Sequence, residues 1–539
     1  MAQVISSEQI YSKEMVRSSS WASYLPAILA IAGSFVMLGL RIQVGQSFIS
    51  DGALMMIALA CYILAALFQL TNLYAPSAMA QKIGLWSAAL GVFFNLSSWL
   101  VRWVGAYDWE MAKLRASGNL EEPWVFRYIP FANLYDLSLA FAFGAGIFTL
   151  LLARRTNFQV LSAFTLPLAA LILVLARFIG GEFIDLPPVL DSYWRPIHVG
   201  VASLSYGVAL VCFAVAVIYL LKDKAKVEAM AIWSSIFGLA VLATISKFSV
   251  LTETVYRAGI FLPNTTGGKP FSAPFRLEVP WVGEALVVSA ILLAGVIVAF
   301  LLYVYQQNQT ARSIGHVLLK LSLVAQAIAI VLLVGGIRGT ADVPAKLTSQ
   351  LAADPSQYVT AGRALSEREN LSASEFAARS PIQLEQMGRQ YVQMNGERLY
   401  LSLNTNPVEV AGLLTALAGT FFVILFAFRT DKLRERLPSL DSLDGLMYKT
   451  ACLAFAGLAM LLITGAIWAN ESWGRPWGFD SKETGALVAW LTYAGFLHTR
   501  ISRGWTGRSS AYFAIVGFLL VIFTYLGVSY LLPGLHSYA

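Results

Sequence analysis

Four histidines and one tryptophan-rich segment carry most of the chemistry in an otherwise apolar chain. Residues 467–484 read IWANESWGRPWGFDSKET, so Trp468, Trp473, Trp477 and Phe479 alternate with Gly474, Pro476 and Gly478. Aromatic residues at a membrane edge commonly serve as belt anchors. Here small residues interleave with the rings, so that a flat surface can form and backbone can approach a planar ligand closely. His198 lies in DSYWRPIHVGVASLSYG and His536 in LLPGLHSYA, each at a helix end flanking that segment. Two imidazoles on opposite sides of a flat aromatic floor describe bis-histidine ligation of a haem iron. Arg475 and Lys482 are placed to meet the propionates of such a group. His498, in AWLTYAGFLHTR, is either an intramembrane ligand or a polar cap beside Arg500. His316, beside the RSIGH turn, is assigned a structural role, and Arg177, Lys247 and Glu284 are read as buried charges, either ion-paired or facing an anionic ligand.

These residues need a scaffold, and composition says which kind. Of 539 residues, 57% are apolar and 13% charged, where soluble domains show roughly 45–50% and about 25%. A polytopic membrane protein follows, and a soluble enzyme, a secreted disulfide scaffold and a nucleic-acid binder are excluded, the formal charge of +7 being read as loop charge that sets orientation. Cys61, Cys212 and Cys452 each stand alone in apolar surroundings, with no CxxC or CxxCH. The polar start MAQVISSEQIYSKEMVRSSS predicts no cleavable signal peptide.

Thirteen helical spans are expected, centred on 24–42, 53–72, 84–104, 134–153, 158–178, 198–221, 231–250, 281–305, 316–336, 409–428, 447–469, 484–500 and 511–532. No period-two barrel pattern competes with them. Lys and Arg of alternate short loops (Arg154-Arg155, Lys222 to Lys226, Arg429 to Arg436, Arg500 to Arg508) place the N-terminus in the cytoplasm and the C-terminus outside. The segment 337–408 is polar and is expected to form short amphipathic helices outside the membrane. The fold class is thus an all-α polytopic bundle. A solute transporter would fit the class, but no inverted repeat is visible; a non-catalytic assembly subunit is the other competing reading.

The segment GAIWANESWGRPWGFDSKETGALVAWLTYAGFLHTR resembles the tryptophan-rich WWD signature of the CcsA (ResC) subunits of System II cytochrome c synthases, members of a superfamily of haem-handling membrane proteins. The resemblance continues through the C-terminal GWTGRSSAYFAIVGFLLVIFTYLGVSYLLPGLHSYA. Upstream, FANLYDLSLAF is similar to the family's N-L-Y-E-S region, with Asp136 in place of Glu, and LDSYWRPIHVGVASLSYGVALVCFAVAVIYLLK and LPSLDSLDGLMYK are similar to the spans before the signature. It implies that His198 and His536 are external axial ligands, that His498 is the family's transmembrane histidine, and that Trp473, Gly474, Trp477, Gly478 and Asp480 form the haem platform. Phe479 stands where the family has tryptophan, keeping a ring but losing an indole N–H.

By the same resemblance, the chain divides into residues 1–129, a core at 130–222, an inserted four-span region at 223–436, and the signature region at 437–539. The function implied is export of haem b and its covalent attachment to an apocytochrome c bearing CxxCH. The partners implied are a CcsB (ResB) type membrane subunit, that apocytochrome and a thioredoxin-like thiol reductant, with no nucleic acid. The location implied is a bacterial cytoplasmic or thylakoid-type membrane, with the active face outside.

Overall fold

Runs of some twenty apolar residues satisfy their backbone polar groups in lipid only as helices, and twelve runs among the described residues do so. The computed structural model describes residues 21–116, 118, 124–181, 183, 191–245, 254–262, 271–338, 358–359, 362, 379–395, 400–402 and 407–528. Its helices begin with α1 (Leu25–Val44), α2 (Asp51–Tyr74), α3 (Ala78–Ala116), α4 (Leu134–Ala153), α5 (Ser162–Ile179), α6 (Trp194–Lys222) and α7 (Val227–Ile245). After two strands come α8 (Val282–Gln306), α9 (Gln309–Arg338) and the short α10 (Pro381–Asn395). Then follow α11 (Pro407–Ala427), the short α12 (Thr430–Arg436), α13 (Leu440–Trp473), α14 (Ser481–Arg503) and α15 (Arg508–Ile522). Twelve of these are long and apolar enough to cross a membrane; α14, with Lys482, Glu483, His498, Arg500 and Arg503 along it, is the membrane-length helix outside that set.

The expected class, a polytopic helix bundle, is what the chain forms, with one addition. Strands β1 (Val255–Leu262), β2 (Phe271–Glu278) and β3 (Tyr400–Ser402) make a small antiparallel sheet of order β2-β1-β3, with Val255 opposite Glu278 and Gly259 opposite Ser402. Strand β1 does not alternate apolar with polar residues; β2, FSAPFRLE, does, but Pro274 interrupts its run, and that proline is tolerated because β2 is an edge. Within the polar stretch 337–408, the amphipathic α10 buries Leu384; most of the rest lies outside the described residues.

Helix α6 is the axis of the main bundle, packed against α4, α13 and α15. Its small residues explain how so many neighbours approach it, since close packing replaces the hydrophobic drive inside a membrane. A Cβ on Gly207 would stand 2.6 Å from the Gly144 carbonyl carbon and 2.7 Å from the Ala145 nitrogen, and one on Gly457 would stand 2.3 Å from Ser205 Oγ. Backbone cannot rotate away as a side chain can, so Gly207→Ala is expected to push α4 and α6 apart and destabilise the protein by about 1–3 kcal/mol. An unchanged thermal unfolding midpoint in detergent would show that the crossing is looser than this. A second group, α7, α8, α9 and α11, packs together and meets the main bundle where α11 lies against α5.

The charges inside the bundle are not the ones expected. Arg177 and Glu284 are exposed, and Lys247 lies outside the described residues. Helix ends leave room for long side chains to reach out, which is why apolar neighbours in sequence did not mean burial. The buried charges include Arg102, Asp136, Arg195, Glu228 and Glu409.

Candidate functional site

Three helices of the main bundle, α4, α6 and α14, begin at one cavity, and the end of α13 and the turn after α15 complete its walls. The space between these walls, counted with its mouth open to solvent, is about 1160 Å³. One stripe of α6 runs down it: Arg195, His198, Val199, Ala202 and Tyr206, whose spacing of three and four residues keeps them on one helix face.

His198 is half-buried on that stripe. Its Nδ1 lies 3.0 Å from the Leu461 carbonyl oxygen and 3.4 Å from Thr464 Oγ1. A carbonyl only accepts, so the proton belongs on Nδ1 and the neutral ring carries its lone pair on Nε2. Such backbone anchoring of one ring nitrogen is how metal-ligating imidazoles are oriented. Gly465 makes room for it: a Cβ there would stand 2.8 Å from the His198 Cε1 and 3.1 Å from Nδ1.

Trp468 packs beside the imidazole, with ring centroids 5.7 Å apart, and Trp473 lies 6.4 Å further. Trp468 is buried to 5% exposure, and among the described residues its indole Nε1 has no hydrogen-bond partner. A buried donor without an acceptor costs about 1–3 kcal/mol, so its place on a cavity wall fits a ligand that supplies one. Trp473, Pro476 and Trp477 continue the aromatic wall.

The segment carrying these rings is more helical than its glycines and proline imply. Helix α13 runs through Trp468 to Trp473 and ends at Gly474, which takes the left-handed conformation (φ 68°) and donates its N–H to the Asn470 carbonyl. Only 474–480 is a loop. Its far end is held by a capping box at the start of α14: Asp480 accepts from the Lys482 N–H at 3.3 Å, and Glu483 Oε2 accepts from Asp480 N–H at 3.1 Å and Gly478 N–H at 2.8 Å. Asp480 thus shapes the loop from outside the cavity lining. Arg475 is exposed and covers Gly478, where a Cβ would stand 2.7 Å from its guanidinium carbon. Phe479 is 77% exposed with φ 55°, in edge contact with Trp477 at 6.0 Å.

Of the residues picked from sequence, the cavity therefore brings together His198, Trp468, Trp473, Trp477 and Lys482. Gly474, Arg475, Gly478, Phe479 and Asp480 form the rim and its supports. Lys482 is half-buried, and burial pushes its ammonium down to about 8, opposed by the charge of Asp480. His498 is exposed on α14, 3.4 Å from Ser502 Oγ and about 24 Å along the helix from Lys482 at about 1.5 Å per residue. His316 sits 3.4 Å from Glu228 Oε1, with Arg312 Nε 2.7 Å from the same oxygen, and meets the edge of Phe300, in keeping with a structural role. His536 lies outside the described residues.

Five contributors stand outside the residues picked from sequence. Arg195 had a signal, its spacing of three from His198, and so did Glu483, the fourth residue of a D-x-x-E capping pattern. Gly465 had none until His198 was seen against it. Thr524 and Tyr525 reach the cavity from a π-helical turn, Phe523–Gly527, with Tyr525 Oη 2.5 Å from Ser138 Oγ; such turns gather at functional sites.

The chain matches the family model of cytochrome c assembly proteins over residues 131–262 and 284–536, more than half its length. It is similar to a cytochrome c biogenesis protein CcsA of Prochlorococcus marinus, 55% identical over 98 residues that cover 18% of this chain and 31% of the relative. The CcsA of Parasynechococcus marenigrum is 50% identical over 103 residues, 19% of this chain and 34% of that one. A third CcsA, from Prochlorococcus marinus subsp. pastoris, is 43% identical over 137 residues, 25% and 43% of the two chains. The chain thus spans about a third of the length of the first two relatives.

Proposed function

The chain belongs to the cytochrome c assembly protein family, and from that premise we propose that it handles haem b as a substrate of a cytochrome c synthase. In this reading it receives haem from the cytoplasmic side and holds it in the cavity at the outer face. There the vinyl groups meet the two thiols of a CxxCH segment in an apocytochrome c. The observation that carries the reading is the convergence of an anchored imidazole, a run of indole rings and an unsatisfied indole donor on one open cavity.

Each thioether forms when a thiol adds across a vinyl double bond: sulfur bonds to the inner carbon, the proton goes to the outer one, and nothing leaves. The protein's part is positioning and exclusion of water. His198 holds the iron through Nε2 on one side, His536 is the proposed ligand on the other, and the tryptophans hold the ring plane. The CxxCH histidine displaces one of these imidazoles before release. His498, exposed on α14 and remote from Lys482, fits a transmembrane haem site completed by a second subunit of the CcsB (ResB) type. A thioredoxin-like reductant would keep the substrate thiols reduced. The four helices α7, α8, α9 and α11 are read as an insertion in the family's bundle.

The protein, with its partner and a CxxCH reporter in cells lacking other maturation systems, should yield haem that stays on the reporter after denaturation. No covalent haem in cells that make both subunits would contradict the function. A second outcome follows from Lys482. An ammonium with a pKa of about 8 is charged below that pH and neutral above it, so haem affinity should be full below about pH 8 and fall as pH rises through it. Lys482→Gln should remove that fall; an unchanged pH profile would detach Lys482 from the ligand.

A further inference from the structure

Helix α6 begins at Trp194 and α14 at Ser481, so the positive ends of two long helices meet at the cavity. Each brings a cation in its first turn, Arg195 and Lys482. Arg195 is 4% exposed, and its Nη2 donates to the Arg127 carbonyl at 2.8 Å. It lies on the wall between the haem cavity and a neighbouring one of about 680 Å³, both of which it lines together with Ala132 and Asn133. The acid on the cavity wall, Glu483, spends one carboxylate oxygen on the backbone of the loop. One buried and one half-buried cation and two helix N-termini at one site favour an anion with two charges. Arg475, the cation first assigned there from sequence, lies outside this lining.

We propose that Arg195, together with Lys482, binds the carboxylate edge of the porphyrin and so fixes which edge carries the vinyl groups to the substrate thiols. The assignment rests on the reading of this cavity as a haem site. A guanidinium offers two parallel N–H groups to a carboxylate, which a point charge does not. The α6 spacing adds the geometry: Arg195 and His198 stand on one face, so one ligand lying along that face can meet both. Because the propionates of haem b stand opposite its vinyl groups, holding the former turns the latter away from the two helix N-termini.

The test titrates the purified full-length protein with haem b and with its dimethyl ester, followed at the Soret band. Wild type should bind the diacid more tightly than the ester. Arg195→Gln should weaken the diacid by roughly tenfold to a hundredfold, the loss of a charged hydrogen-bond pair, and leave the ester unchanged, with Arg195→Lys recovering part of the affinity. Equal loss for both porphyrins would make Arg195 a structural residue, and no loss for either would remove it from the site. A wild type that binds neither porphyrin overturns the haem reading itself, whereas tight binding of both with no preference overturns only this assignment.

Discussion

Replacing His198 by alanine is expected to abolish haem retention and bring holocytochrome formation to background, while the protein is still made and inserted. The imidazole is half-buried at the cavity wall, and its Nδ1 faces the Leu461 carbonyl, so Nε2 is the nitrogen proposed to meet the iron. Alanine leaves a space the size of the lost ring, so imidazole in the medium should restore part of the bound haem. Gly465 provides an independent check that needs no change in ligand. A Cβ there would fall 2.8 Å from the His198 ring, so Gly465→Val should displace the imidazole and lower haem affinity by about ten- to a hundredfold, the usual effect of disturbing what orients a ligand. Normal maturation in both variants would show that this imidazole does not bind iron.

The second large effect is on folding. Arg102 is 1% exposed; its guanidinium pairs with Asp136, reaches Asp51 Oδ2 at 3.2 Å, and donates to the Gly181 carbonyl at 2.6 Å, with the rings of Tyr135 and Phe183 over its faces. Asp136 in turn accepts from the Ala132 N–H at 2.9 Å, and its own N–H is capped by Asn133 at 3.0 Å. Arg102→Leu would strand two carboxylates, one of them 2% exposed, and should cost about 3–5 kcal/mol. A combined Arg102→Leu and Asp136→Leu protein should be more stable than the single variant, because the deeper unpaired charge is gone. The expected reading is a large fall in the thermal unfolding midpoint for Arg102→Leu with partial recovery in the pair; equal midpoints would show that the network holds little. Since this network anchors the start of α4, which lines the cavity proposed to hold haem, the single variant should also bind haem more weakly.

How much of this was legible in the chain depended on whether the signal was local. The helices could be read because twenty apolar residues in lipid have one backbone solution. The imidazoles and indoles stood out because a chain so short of polar groups leaves few alternatives. Trp468 could be seen, but that it lies within the last turns of α13 and packs on His198 from 270 residues away in sequence could not. The resemblance implied a place for Asp480 in the haem platform, and what the structure adds is that its carboxylate caps α14, since a carboxylate before a helix answers to the orphan N–H groups there. Arg102 and Asp136 lie 34 residues apart, beyond the reach of any helical spacing. The close approach at Gly207 and the room at Gly465 exist only once two helices are laid together. The hairpin of β1 and β2 went unread because β1 does not alternate and Pro274 interrupts the alternation of β2.

The central claim, that this cavity binds haem through His198, is most directly tested by the absorption spectrum of the full-length protein purified in detergent with its partner from haem-replete cells. The expected spectrum has a Soret band with the split visible bands of low-spin bis-histidine haem in the reduced state, lost or shifted to a high-spin form in His198→Ala. A colourless complex, or a spectrum identical in wild type and His198→Ala, would contradict it.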